Sequence, residues 1–200
     1  MGASARSRLA RGLPGQTARI DLFPRQRIVN DETDLVVDPR TLHEAAHAVA
    51  AVDQMMLGIS VQLMPRRSER GIQTSADTAY FCPHLFAEPL WQLLQRRLTV
   101  VLAGPAWEAH SAGEDDDCAP ALQRETDDRL AAKKIIRELY RAGIRGSSLK
   151  QCVRDSWKIA RTLPTSRSAQ IMAICDALQK YSALDDAQIR MFYAMSSITG

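Results

Sequence analysis

Long apolar runs are what this sequence most plainly lacks. The uninterrupted ones are only a few residues, as in Leu98 to Gly104 with Thr99 inside it, far short of the roughly 20 residues a helix needs to cross a bilayer, so no membrane span is expected. Paired cysteines are missing too. Cys82, Cys118, Cys152 and Cys175 are scattered, form no CxxC and follow no apolar leader, so reduced thiols in a cytoplasmic protein are the expectation. Nor is there a surplus of one charge: 26 Lys and Arg stand against 23 Asp and Glu, a net +3. Such a balance offers no general field for nucleic acid or an anionic membrane, and no nucleic-acid partner is expected. Repeats, low-complexity tracts and a phosphate-cradling GxxxxGK[ST] run are absent as well.

What is present suffices for one core. Two hundred residues, 46% of them hydrophobic, fit a single domain with an appendage. Residues 1–35 read as a flexible basic arm, with six arginines before residue 30 and little apolar periodicity. Pro14, Gly15 and Pro24 interrupt any amphipathic targeting helix there. The domain proper is assigned to residues 36–200.

Asp38 followed by Pro39 is a helix start, an N-cap acceptor before a residue whose missing N–H costs nothing in the first turn. The helix is predicted to run to about Leu57 and stop at Gly58, with Leu42, Ala45, Val49, Val52 and Met56 as its buried stripe and His43 and His47 on an adjacent one. Alternation of Ile59, Val61 and Leu63 with Ser60 and Gln62 predicts a strand, with Gly71 to Ser75 returning antiparallel. A second helix is expected over about 88–110, broken near Gly104 and Pro105. A loop follows over 111–120. A third helix is expected over about 125–142, stopping at Gly143, with Ala131, Ala132, Ile135, Ile136, Leu139 and Tyr140 inward. Segments near 149–163 and 167–196 also read as helical. The fold class is therefore mainly α with a small β element (α+β), the helix of His43 and His47 packed in a helical bundle.

His43-Glu44-Ala45-Ala46-His47 fits HExxH. On a helix, two histidines at i and i+4 project from one face with Cβ atoms about 6 Å apart, which suits a shared Zn²⁺, and Glu44 beside them is the candidate general base. Two histidines need a third protein ligand. Candidates are His84, His110, Glu108, Asp127 and Asp128. Helical phase places Asp128 near the centre of an apolar face, a costly position that a cation would compensate, whereas Asp127 points outward with Lys134. A first-turn acid favoured by the helix dipole is the alternative account of Asp128.

These residues resemble the peptidase domain of the FtsH-type membrane AAA proteases. That family's zinc helix reads HEAGHA, and His43 to Ala48 reads HEAAHA. Pro65-Arg66 stands six residues before Gly71, as in the family, and Leu102-Ala103-Gly104-Pro105-Ala106-Trp107-Glu108 is similar to its LGGRxAEE-like run, with Pro105 in place of the arginine. The family's DxxxAxxxARxxV helix has its counterpart in Asp128, Ala132, Ile136, Arg137 and Tyr140. The resemblance covers about residues 38–143 and implies His43, His47 and Asp128 as zinc ligands and Glu44 as base. Without the family's motor or membrane anchor in this sequence, the expected activity is an ATP-independent zinc peptidase acting on unfolded or exposed polypeptide, alone, as a homo-oligomer or with a separate ATPase. The strand at 59–64 is the expected edge for extended substrate. The alternative is a non-catalytic metal-binding interaction or regulatory module. A DNA-associated role is set aside, no basic stripe being expected beyond the arm.

Overall fold

A computed structural model describes residues 38–68, 71–83, 88–114 and 126–197; the proposed arm, His84 and Cys118 lie outside them. The elements in chain order are α1 (Pro39–Asp53), β1 (Leu57–Ser68), β2 (Gly71–Phe81), α2 (Leu90–Ser111), α3 (Asp127–Arg141), α4 (Gly146–Ser166), α5 (Ser168–Tyr181), β3 (Ala183–Leu184) and α6 (Asp186–Ser196). The fold is mainly helical with one small antiparallel sheet of order β2-β1-β3.

Asp38 caps α1 by accepting from the Arg40 amide at 2.9 Å, with Pro39 in the first turn. The helix stops at Asp53, four residues before the expected end. Met55 adopts φ +56°, its amide bonding to Val52 O at 3.0 Å and that of Met56 to Ala51 O at 2.8 Å. This left-handed cap turns the chain so that Met56 is fully buried while Met55 is 62% exposed. Gly58 is not the stop; it lies inside β1, at φ +58°, where the register with β2 shifts.

The hairpin is longer than its alternation implied, with Gly71 opposite Ser68 and Phe81 opposite Leu57. The two-residue β3, too short to carry a pattern, pairs Leu184 with Val61 and Ala183 with Gln62. β1 is therefore central, flanked on both sides around Val61, and cannot serve there as the expected edge. Among the described residues, the edge on the hairpin side is β2.

α2 runs unbroken through Gly104 and Pro105, because tertiary burial along most of its length outweighs the local cost of a proline. It is the wall between two cores. Val100 and Ala103 join α1, β1, α5 and α6 in one, while Leu94, Leu98, Val101, Leu102, Ala106 and Ala109 face α3 and α4 in the other. Each fully buried leucine, such as Leu98 or Leu102, contributes roughly 1.5–3 kcal/mol by leaving water.

Arg96 binds both oxygens of Glu88 at 2.9 and 2.8 Å and the carbonyls of Gln54 at 2.6 Å and Pro83 at 2.7 Å. This one guanidinium ties the ends of α1 and β2 to the start of α2. α3 follows its expected bounds closely, capped by Thr126 and closed at Gly143, φ +93°. Tyr140 departs from the expected inward face: it is 51% exposed, with the Arg145 guanidinium 5.0 Å above its ring.

Candidate metal centre

α1 presents His43 and His47 one turn apart towards α2, and the first turn of α3 brings Asp128 to them across 85 and 81 positions of sequence. His43 Nε2 lies 2.9 Å from Asp128 Oδ2 and 3.0 Å from His47 Nε2. His47 Nε2 is 3.4 Å from Asp128 Oδ1. The two rings meet edge to face, centroids 4.7 Å apart.

The other ring nitrogens settle what these atoms are. His47 Nδ1 is 2.7 Å from the Val100 carbonyl, an oxygen that only accepts, so Nδ1 carries the proton and a neutral His47 turns a lone pair inward from Nε2. His43 Nδ1 likewise faces Glu108 Oε1 at 2.8 Å. Three electron-rich atoms thus converge, and each histidine is held on its far side through Nδ1, the arrangement by which outer partners orient metal-bound histidines. His43, His47 and Asp128 can hold a metal ion.

Val100, Gly104 and Glu108 stand at four-residue steps and so share one stripe of α2. The stripe serves both histidines. Between its two acceptors, Gly104 leaves the space that the His43 ring fills: a Cβ there would sit 2.3 Å from Nε2.

Electrostatics bind the group together without a metal. Burial opposes the charged form of His43, but hydrogen bonds to Asp128 and then Glu108 prevail and raise its pKa from 6.5 to about 10. Burial likewise disfavours the Asp128 carboxylate, and its bonds to the two histidines prevail, holding it well below the usual carboxylate range. A proton on His43 therefore neutralises the cluster, in the position that a cation would take over.

Glu44 turns to the sheet, where the Thr78 hydroxyl donates to Oε2 at 2.5 Å. Tyr80, two residues along and so on the same side of β2, has its hydroxyl pushed up to about 12, chiefly by burial.

Of the candidates for a third ligand, Asp128 joins the histidines. Asp127 and His110 are exposed and do not. Glu108 contacts the other nitrogen of His43, so it supports a ligand rather than completing the set. Sequence reasoning missed Thr78, Val100 and Gly104. A hairpin extended beyond Ser75 would have pointed to Thr78, whereas a backbone carbonyl such as that of Val100 leaves no mark in sequence.

A scan against protein-family models and a search of curated proteins find no match for this chain.

Proposed function

We propose that this chain is a zinc-dependent peptidase of the kind its motifs resemble, hydrolysing unfolded or exposed polypeptide in a reaction that does not itself consume ATP. The observation that carries the reading is the convergence of His43 Nε2, His47 Nε2 and an Asp128 oxygen, with Glu44 next to His43 in the sequence of the same helix. Ligands about 2.0–2.2 Å from a tetrahedral zinc lie roughly 3.3 Å from one another, and the separations of 2.9, 3.0 and 3.4 Å are close to that. Two imidazoles and one carboxylate are also a donor set that zinc accepts, leaving a fourth position open.

A zinc ion held there supplies Lewis acidity towards a peptide carbonyl and towards water. Glu44 supplies the base. It accepts the proton of the attacking water as oxygen adds to the carbonyl carbon, then passes it to the departing amine nitrogen as the C–N bond breaks. Thr78 fixes one Glu44 oxygen by donating to it, which leaves the other for the proton. β2 pairs with β1 on one side, so an extended polypeptide adding to its other edge would lie along the strand that holds Glu44.

The test is metal-dependent cleavage of a fluorescently labelled, denatured protein by wild type and Glu44→Gln. The variant should keep its zinc and lose activity by about 10²–10⁴-fold. If zinc-loaded wild type cleaves no unfolded substrate, the alternative of a metal-binding interaction module replaces the peptidase reading. Equal activity in Glu44→Gln would place the chemistry elsewhere.

A further inference from the structure

Chain-wide balance conceals a strong local asymmetry. Between residues 126 and 167 there are eleven Lys and Arg against four Asp and Glu, a surplus of seven in a chain whose total surplus is three. Contrary to the expectation of no basic stripe beyond the arm, α3 and α4 each carry one. Lys134, Arg137 and Arg141 recur at three- and four-residue steps on α3, and Lys150, Arg154 and Lys158 at four-residue steps on α4. All six are exposed.

Their direction follows from packing. α3 buries Ala132, Ile135 and Leu139, and α4 buries Cys152, Trp157 and Ala160, in one cluster on α2. At 100° per residue the basic stripes fall on the sides of the helices turned away from that cluster. Of the four acids on the two helices, Asp127 is exposed on the side of Lys134, and the other three are engaged elsewhere. Asp128 belongs to the histidine cluster, Glu138 pairs with Arg97 of α2 at 3.4 Å, and Asp155 accepts from Gln151 at 2.7 Å. Among the described residues, none of the six cations has an ion-pair partner.

We propose that the outer faces of α3 and α4 bind the backbone of double-stranded nucleic acid through its phosphates. Charge complementarity selects this occupant. Successive cations along α4 rise about 6 Å, and a duplex offers a phosphate every ~3.4 Å of axis on each strand, so each cation has a phosphate within reach of its long side chain. A lipid surface fits less well, because both helices have buried their apolar stripes on α2 and the large apolar residues they leave exposed, Leu130, Tyr140 and Ile159, are scattered and form no continuous stripe to insert. Acidic polypeptide carries sparser and less regular charge. The face does not depend on the metal or on the peptidase reading.

The experiment is a fluorescence-anisotropy titration of a labelled DNA duplex of about 20 base pairs with the full chain, from about 50 to 200 mM salt. With six cations engaged, log K should fall with log salt at a slope near −5, at roughly −0.9 per phosphate. Lys150→Glu, Arg154→Glu and Lys158→Glu together should weaken binding at least about tenfold and flatten the slope by about 3. Lys134→Glu, Arg137→Glu and Arg141→Glu should do the same. Metal uptake and the thermal midpoint verify folding, and the corresponding glutamine triples give the same ordering with less effect if a reversed set fails to fold. Absence of binding at the lowest salt would overturn the proposal. So would full binding by both triples, which would move the contact to the arginines of residues 1–30, and so would equal binding to polyglutamate or to anionic vesicles of matched charge.

Discussion

Replacing Gly104 by alanine sets two effects of opposite sign against each other. In an open helix interior the change stabilises by about 1 kcal/mol, since alanine is the best helix former and glycine among the worst. Here the new Cβ would lie 2.3 Å from His43 Nε2, 2.5 Å from Cδ2 and 2.6 Å from Cε1, whereas ordinary contact begins at 3.4 Å. The ring must retreat by more than about 1 Å, and it is held at Nδ1 by Glu108 and at Nε2 by Asp128, so it cannot swing aside without breaking the cluster. Loss of one metal ligand's geometry should weaken metal binding by at least about 100-fold, or about 2.7 kcal/mol. Competition with a chromophoric zinc chelator reads the affinity, and thermal unfolding with and without chelator reads the two stabilities. In a cycle with His43→Ala, the clash should vanish, so Gly104→Ala should stabilise the His43→Ala background and destabilise the wild-type one. Wild-type zinc affinity in Gly104→Ala would refute the close-approach argument.

Purified protein should hold about one zinc per chain, lost in His43→Ala and His47→Ala; Asp128→Asn should weaken it at least tenfold and Asp127→Asn should be silent, by metal analysis and competition. Equal effects at the two aspartates would break the assignment. Metal-free protein should lose stability with rising pH, because His43 binds its proton more tightly when folded. That contribution is complete below about 6.5 and fades as pH climbs through about 10. Urea midpoints in chelator across this range should decline, and a flat profile would contradict the hydrogen-bonded cluster. Arg96→Ala should destabilise by roughly 3–5 kcal/mol, since it strips a close partner from Glu88, whose side chain is only 7% exposed; a loss under about 1 kcal/mol in chemical denaturation would show that water or relaxation replaces the clamp.

Much of the site was legible because its geometry is local. Histidines at i and i+4 share a face of any α-helix, so HExxH on a capped amphipathic segment predicts their juxtaposition without knowledge of the rest. Asp128 was legible for a related reason: its phase puts it among Ala132, Ile135 and Leu139, where a carboxylate needs compensation. Features set by contact between distant segments were not legible. Glu108 looked like a ligand by type, and only the antiparallel approach of α1 and α2 assigns it to the outer nitrogen of His43. Gly104 looked like a breaker, because propensity knows nothing of the ring that needs its missing side chain. The end of α1 was misplaced since Gly58 is the better local stop, yet burying Met56 requires an earlier turn at Met55.

The α1–α2 contact also bears on how the site tolerates departures from the motif it resembles. His43 meets Gly104 and Glu108 while His47 meets Val100, so the i, i+4 pair of one helix is read by the i, i+4, i+8 stripe of the other running the opposite way. Each histidine is thereby oriented by α2, and only Asp128 comes from elsewhere. Pro105, which stands where the resembling run has arginine, lies 100° around the helix from Gly104. Its missing amide removes a bond to Val101 rather than to Val100, whose carbonyl His47 uses. The substitution therefore leaves the orientation of both histidines intact, whereas a change at Val100, Gly104 or Glu108 that shifts the stripe would disturb the ligand geometry without altering a single ligand.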